Sequence, residues 1–332
     1  MSETTYREAL RAALEDAMDQ DPAILLIGEE VGLYGGAYGV SRGLLDRFGP
    51  DRVIDAPISE PAIVGTAVGA AMTGSRPVAE LMYVDFAGLV MDQLANQAAK
   101  SRYMFGGQIA VPMVLRTQGG TGRSAAAQHS QSLEAWFLHT PGLRLVMPAT
   151  VNDAYHLLRA ALTQPDPVVF IEHKGLYTLK GAWDRGRPDA GWGEALVRRP
   201  GRDLTIVTYS RMLHESLAAA DTLAARGIDA EVIDLRCLNP LDEATMVASV
   251  RRTGRVMVVS EGVLTGGVAA ELSARLQELC FDQLEEPILR IAGEDIPIPV
   301  SPDLERASIP SAGLIVEAAG QLMRREVAAW AR

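Results

Sequence analysis

The segment PISEPAIVGTAVGAAMTG, residues 57–74, holds a single acidic side chain, Glu60, ahead of an uncharged run of Ala, Gly, Val and Ile. A lone carboxylate at the edge of an apolar helix costs free energy unless something uses it. Pro61 suits the first turn of a helix and Gly74 its end, which puts Glu60 beside a helix N-terminus. Its carboxylate has two uses there. It caps exposed N–H groups, or it serves a ligand, because the strand-like RVIDAP precedes it and ligands collect at strand ends in α/β sheets. A second candidate is GRSAAAQHSQSLEAWFLHTPGL, residues 122–143, with His129 and His139. Small residues before His129 let a ligand approach, and a histidine on a loop transfers protons near neutral pH. The plain alternative is a structural histidine held by backbone. His156 and His214 read as packing or surface residues, and His173, at a strand end, stays open.

Other chemistries find less support. The glycine-rich GLYGGAYGVSRGLLDRFG, residues 32–49, lacks the spacing of a dinucleotide or phosphate loop and reads as a loop near a binding site. No G-x-S-x-G elbow frames Ser130, and neighbours such as His129 and Ser130 rarely form a catalytic pair. Cys237 and Cys280 show neither metal-ligand nor disulfide spacing and read as buried packing residues in a reducing compartment.

The elements that position these residues alternate. Apolar runs at 23–28, 52–57, 76–82, 111–117, 143–148 and 167–172 form one set of predicted strands, and runs at 204–209, 229–235, 255–260 and 287–292 form a second. They are rich in Val, Ile and Leu without strict alternation, the pattern of parallel strands covered on both faces. Helical patterns lie between them, one starting at a capping Asn152 and another ending at Gly227. The fold class is therefore α/β with parallel sheets. The segment 180–195, rich in Gly, Pro and charge, reads as a linker between two α/β domains.

A chain of 332 residues with 48% hydrophobic and 22% charged residues has enough apolar material for two cores. Its net charge of −11 argues against nucleic-acid partners. The N-terminal stretch is amphipathic and charged, without the apolar region of a signal peptide. No run reaches the ~20 apolar residues of a membrane span. A cytoplasmic location is expected.

Several long segments in order resemble the E1 β subunit of thiamine-diphosphate-dependent 2-oxoacid dehydrogenase complexes. They are GEEVGLYGGAYGVSRGLLDRFG, RVIDAPISE, VGAAMTGSRPVAELMYVDFAG, AAAQHSQS, HTPGLRLVMPAT, AEVIDLRCLNPLD and SEGVLTGGVAAEL. The resemblance covers almost the whole chain. It implies a transketolase-like pyrimidine-binding domain with a parallel sheet at 1–185 and a transketolase C-terminal-like α/β domain at 186–332. It also implies that Glu60 hydrogen-bonds N1′ of the thiamine aminopyrimidine and promotes the tautomer that removes the thiazolium C2 proton. Phe86, in VDFAG, matches the aromatic residue packed on the pyrimidine. His129 matches the histidine implicated in reductive acylation of the lipoyl group. Glu29 and Asp92 match acidic positions of a polar passage between paired active sites. The backbone carbonyls of Met113, Ala161, Gln164 and Asp166 match a potassium site.

The chain contains no G-D-G, the motif that anchors Mg2+ and the diphosphate in thiamine enzymes. The resemblance thus implies that an E1 α subunit supplies Mg2+ binding, in an α2β2 heterotetramer that docks an E2 dihydrolipoyl acyltransferase. GGAYGVSRGL and FDQLEEPILRIAGEDIPIPVS are similar to pyruvate dehydrogenase β chains, whereas ELMYVDFAG with NQAAKSRYMFGGQ resembles acetoin dehydrogenase β chains. Pyruvate is the favoured substrate and acetoin the alternative. A non-catalytic structural subunit is the competing class, against which Glu60, Phe86 and His129 stand together. A nicotinamide oxidoreductase is disfavoured because no dinucleotide fingerprint is present.

Overall fold

Apolar runs alternating with amphipathic helices fold into two α/β units in the computed structural model, which describes residues 2–324. Residues 325–332 of the expected second domain lie outside the described residues. One unit comprises the chain up to Gly119 together with Trp136–Trp192, and the other comprises Gly120–Ala135 together with the chain from Gly193.

In the first unit six parallel strands lie in the order Arg144–Val146, Val168–His173, Val114–Gly119, Arg76–Leu81, Ile24–Gly28 and Val53–Asp55. Every residue of Val114–Gly119 and of Val168–His173 is buried, which explains runs without strict alternation. The helix Tyr6–Gln20 starts where Thr5 Oγ1 accepts the Glu8 N–H (3.2 Å), and it packs against the helix Val151–Ala161. Leu10 and Leu14 are fully buried on the first of these helices. Each such leucine contributes about 1.5–3 kcal/mol.

The start of Val151–Ala161 differs from the reading of Asn152 as its cap. Thr150 is the cap, its Oγ1 accepting the Asp153 N–H at 3.2 Å. Asn152 sits inside the first turn and serves another segment. Its Nδ2 donates to Asp189 Oδ1 (2.8 Å), and its Oδ1 accepts the Asp184 N–H (3.1 Å).

The second unit has four parallel strands in the order Leu289–Gly293, Val256–Val263, Leu204–Thr208 and Ala230–Asp234, with Leu196–Arg199 antiparallel at the edge. The helix Met212–Ala224 closes with Gly227 at φ +81°, where the Gly227 N–H donates to Ala224 O and the Ile228 N–H to Leu223 O, both at 3.0 Å. This pair of bonds needs a left-handed residue between them, and glycine adopts that conformation at least cost.

Part of the expected linker is structured. Lys180–Trp183 is a strand paired antiparallel with Ser2–Thr5. KGAW and LVRR carry too few apolar residues to show a strand period, so both edge strands escape a reading from pattern.

Candidate active site

The strand Ile24–Gly28 pairs with Val53–Asp55 on one side and Arg76–Leu81 on the other. The chain runs from the central strand to one neighbour and then crosses to the other. In parallel sheets the carboxyl ends at such a reversal form the ligand crevice. Three expected site residues follow these strand ends. Glu29 comes directly after Gly28, Glu60 opens the helix Glu60–Met72 that follows Val53–Asp55, and Phe86 ends the short helical turn Val84–Phe86 after Arg76–Leu81.

Glu60 does not cap its helix through its side chain. Ser59 is the cap residue, and its carbonyl accepts the Ala62 and Ile63 N–H groups at 3.0 Å. Among the described residues no hydrogen bond or ion pair engages the half-buried Glu60 carboxylate. Its charge is nevertheless felt nearby. Burial pushes the Glu29 carboxyl above its usual value, and the negative charges of Glu30 and Glu60 push it further. Phe86 is half-buried and meets the Tyr83 ring edge-on, with centroids 6.2 Å apart. Asp92 is exposed at the start of a π-helical stretch, Asp92–Ala98, and accepts from Asn96 Nδ2 at 2.7 Å. Such π-helical turns recur at functional sites. The next residue, Gln93, lies against Gly65 of the Glu60 helix, where an added Cβ would come within 3.6 Å of Gln93 Cγ.

Beneath these strand ends lies a charged cluster that pattern reading did not reveal. Glu80 and Arg116 face each other across neighbouring strands, and Glu172 lies on the next strand, diagonal to Arg116. Arg116 is fully buried. It donates to Glu172 through Nε (2.6 Å) and Nη2 (2.9 Å) and to Glu80 through Nη1 (2.7 Å). Tyr177 Oη adds a 2.6 Å bond to Glu172. Burial raises the Glu80 carboxyl above its usual value while Arg116 opposes that rise, and burial works against the Arg116 charge while Glu172 and Glu80 hold it on. From the cluster a chain of aromatic rings leads towards Phe86. Tyr38, in the glycine-rich loop, stacks on Tyr177 at 4.8 Å and meets Tyr83 edge-on at 6.1 Å. The loop at 32–49 therefore packs over strand ends, and its glycines let its backbone approach closely. At Gly35, φ is +84° and a Cβ would lie 2.8 Å from Arg42 Cα.

His129 belongs to the second unit, on the half-buried part of a loop entered from the strand Val114–Gly119. Its N–H donates to Ala126 O at 3.3 Å. Two carboxylates far away in sequence hold this loop. Glu261 Oε1 accepts from Thr121 N (2.7 Å) and Thr121 Oγ1 (2.8 Å), and Glu305 accepts from the Gly122 and Ser124 N–H groups at 3.0 and 3.2 Å. These bonds hold a backbone with Ser124 at φ +51° and Ala126 at φ +62°, a conformation that costs of order 1 kcal/mol or more per residue. Downstream, Tyr209 Oη donates to the buried Glu134 at 2.7 Å, while burial raises the Glu134 carboxyl. Glu134 and Glu305 carry no local motif, and Glu261, within SEGVLTGGVAAEL, has a partner that spacing along the chain does not reveal.

Two further histidines are engaged by backbone. His173 is buried, and its Nδ1 accepts the Gly175 N–H at 3.0 Å. His156 Nε2 donates to Asp184 O at 2.7 Å.

Three of the four carbonyls matched to a potassium site accept hydrogen bonds. Met113 O accepts from Val168 N (2.9 Å), and Ala161 O accepts from Gln164 N (3.1 Å). Arg76 Nη1 donates to Gln164 O at 3.3 Å. The Asp166 carboxylate pairs with Arg102 (2.7 Å) and Arg144 (3.2 Å), which hold it below its usual range against the effect of burial. A carbonyl oxygen has two lone pairs, so one such bond leaves it able to accept a further partner. Among the described residues no group of three or more His, Cys, Asp or Glu side chains is placed to hold a metal ion.

Comparison with known proteins bears on the family and the fold. Residues 2–180 match the family described as the transketolase pyrimidine binding domain, and residues 193–315 match the transketolase C-terminal domain. Pyruvate dehydrogenase E1 component subunit beta-2 of Oryza sativa subsp. japonica is 46% identical over 98% of this chain and 88% of its own length. The acetoin:2,6-dichlorophenolindophenol oxidoreductase subunit beta of Cupriavidus necator is 44% identical over 95% of this chain and 96% of its own. A solved structure titled as a split gene transketolase, inactive beta4 tetramer, shares the fold with TM-score 0.79 at 22% identity, covering 96% of this chain and 98% of that one. The two domain matches and relatives 44–46% identical over at least 95% of this chain together show that the chain belongs to the E1 β subunit family of thiamine-diphosphate-dependent 2-oxoacid dehydrogenases.

Proposed function

We propose that this chain is the β subunit of a pyruvate dehydrogenase E1, acting with an α subunit to decarboxylate pyruvate and pass the acyl group to a lipoyl carrier. The observation that carries this reading is the gathering of Glu29, Glu60 and Phe86 at the carboxyl ends of three adjacent parallel strands. The donor set fits an aminopyrimidine, since Glu60 offers a carboxylate with no hydrogen bond of its own and Phe86 a partly open ring. When bound, thiamine diphosphate supplies an acidic thiazolium carbon and an electron sink for decarboxylation. Glu60 holds a ring nitrogen of the pyrimidine by sharing a proton with it. Phe86 packs against the ring and excludes water. Glu29 and Asp92 carry protons along an acidic passage, a role for which the raised Glu29 carboxyl is suited because it exchanges its proton nearer neutrality. His129 gives a proton to the acceptor sulfur during acyl transfer.

Residues 1–185 form the pyrimidine-binding domain in this reading and residues 186–332 the C-terminal domain. The α subunit brings Mg2+, the assembly is α2β2, and an E2 acyltransferase docks on it. Potassium is assigned to the backbone carbonyls of Met113, Ala161, Gln164 and Asp166, of which Gln164 O also accepts from Arg76. We place the protein in the cytoplasm, where its two free buried cysteines stay reduced. The Cupriavidus relative, nearly as similar as the plant one, favours acetoin as the second reading.

Dye reduction by the chain reconstituted with its α partner, thiamine diphosphate and Mg2+ separates the readings. Turnover of pyruvate that is lost in Glu60→Gln supports the first. Turnover of acetoin alone moves the substrate and keeps the mechanism. An intact α/β complex inactive with pyruvate, acetoin and a branched-chain 2-oxoacid overturns catalysis and leaves a structural subunit.

A further inference from the structure

A crevice of about 500 Å³ opens in the second unit at the carboxyl ends of the parallel strands Val256–Val263 and Leu289–Gly293, against the loop that follows His129. Its volume lies within the range of small-molecule sites. Leu133, Val263 and Ile296 give it apolar walls, and Glu261 and Asp295 give it two carboxylates. No Lys, Arg or His lines it. The guanidinium of Arg211 donates to Thr121 Oγ1 at 3.1 Å but is not part of the lining.

The polar groups are fixed before any ligand arrives. Glu261 is held through Thr121 N and Oγ1. Asp295 accepts from Thr265 N (3.0 Å) and Thr265 Oγ1 (2.6 Å), bonds that hold its carboxyl below the usual range. Gly262 contributes no side chain between them, since a Cβ there would come within 3.2 Å of Glu134 Oε1 and 3.4 Å of Ser132 O. Ser130 also lines the crevice. It is 1% exposed, and its Oγ has no hydrogen-bond partner. A buried hydroxyl without a partner is costly and calls for an occupant that supplies one.

We propose that this crevice binds a small amphipathic primary amine as its ammonium ion, with the charged end towards Glu261, Asp295 and Ser130 Oγ and the alkyl chain along Leu133, Val263 and Ile296. An ammonium carries three donors and no acceptor, and the lining offers acceptors on Glu261, Asp295 and Ser130. With two carboxylates and no cation in its lining, the crevice disfavours anions such as free carboxylic acids and phosphate esters, even with the charge of Arg290 acting on Asp295. A neutral alcohol of the same length gains the apolar contact alone. Because the carboxylates are already oriented, binding orders few side chains.

Isothermal titration of the full chain at pH 7 with n-hexylamine, 1-hexanol and hexanoate tests this. Expected is saturable binding of hexylammonium, at least roughly tenfold weaker binding of hexanol and no binding of hexanoate. Glu261→Gln should weaken hexylammonium roughly tenfold or more. Glu261 is buried, so two exposed positions guard against a folding defect. Asp295→Asn should weaken the amine without changing hexanol, and Val263→Trp should abolish both by filling the crevice. Equal affinity for hexanol and hexylammonium, no binding of the amine, or amine binding unchanged in Val263→Trp would overturn the proposal.

Discussion

Glu60 and Glu29 show how one local change should propagate. The Glu60 carboxylate is half-buried and makes no hydrogen bond among the described residues, so Glu60→Gln removes little folding energy while removing the charge that the proposed chemistry uses. We expect kcat with the α partner to fall by roughly 10²–10⁴-fold, with Tm unchanged within about 2 °C. A drop in Tm that matches the loss of activity would point to a structural role instead. The same substitution removes one of the negative charges that raise Glu29, so the Glu29 titration, followed by NMR, should move down towards 4.5. The folded chain keeps the Glu29 proton where the unfolded chain has released it, so this carboxyl is tolerated best below its ordinary pKa of 4.5, and stability is lost as pH rises through the raised value. Wild type should therefore lose more stability than Glu29→Gln between pH 4 and pH 7 in urea titrations.

Among the elements, the three strands carrying Glu80, Arg116 and Glu172 depend on one guanidinium. Arg116 serves two buried carboxylates, and removing it leaves both unpaired. Breaking a buried ion pair from one side costs about 3–5 kcal/mol. Arg116→Met should lower stability by about that amount in urea unfolding. The triple variant Arg116→Met, Glu80→Gln, Glu172→Gln should be more stable than the single one, because no buried charge is left alone. If the single variant unfolds like wild type, the cluster does not hold the strand ends. The aromatic chain Tyr177–Tyr38–Tyr83 rests on this cluster, so a shift here should also alter the glycine-rich loop.

For the whole molecule, the division into units crosses the chain order. Gly120–Ala135 belongs with the residues from Gly193 onward although the intervening segment belongs elsewhere. A fragment beginning at Gly193 lacks the donors that Glu261 and Glu305 use and the Glu134 acceptor of Tyr209. We expect it to melt early, and a peptide of residues 120–135 to raise its Tm by roughly 5 °C or more as followed by circular dichroism. A fragment with full stability and no response to the peptide would contradict the assignment of the loop.

Much of this protein is determined by its sequence alone. The ten apolar runs specify parallel strands because burial on both faces demands continuous Val, Ile and Leu, and that demand is local. Pro61, Gly74 and Gly227 mark helix ends for equally local reasons. Glu60 stands out because a single charge beside an apolar helix is a visible anomaly, and long ordered segments carried the resemblance to the E1 β family. Tertiary structure alone decided the rest. Thr150 replaced Asn152 as a cap because Asn152 is engaged with Asp184 and Asp189. The Glu80–Arg116–Glu172 cluster, the Glu261 and Glu305 clamps on the His129 loop, and the crevice holding Ser130 join residues up to 183 positions apart in the chain. Their partners are chosen by strand order and register, which no spacing along the sequence encodes.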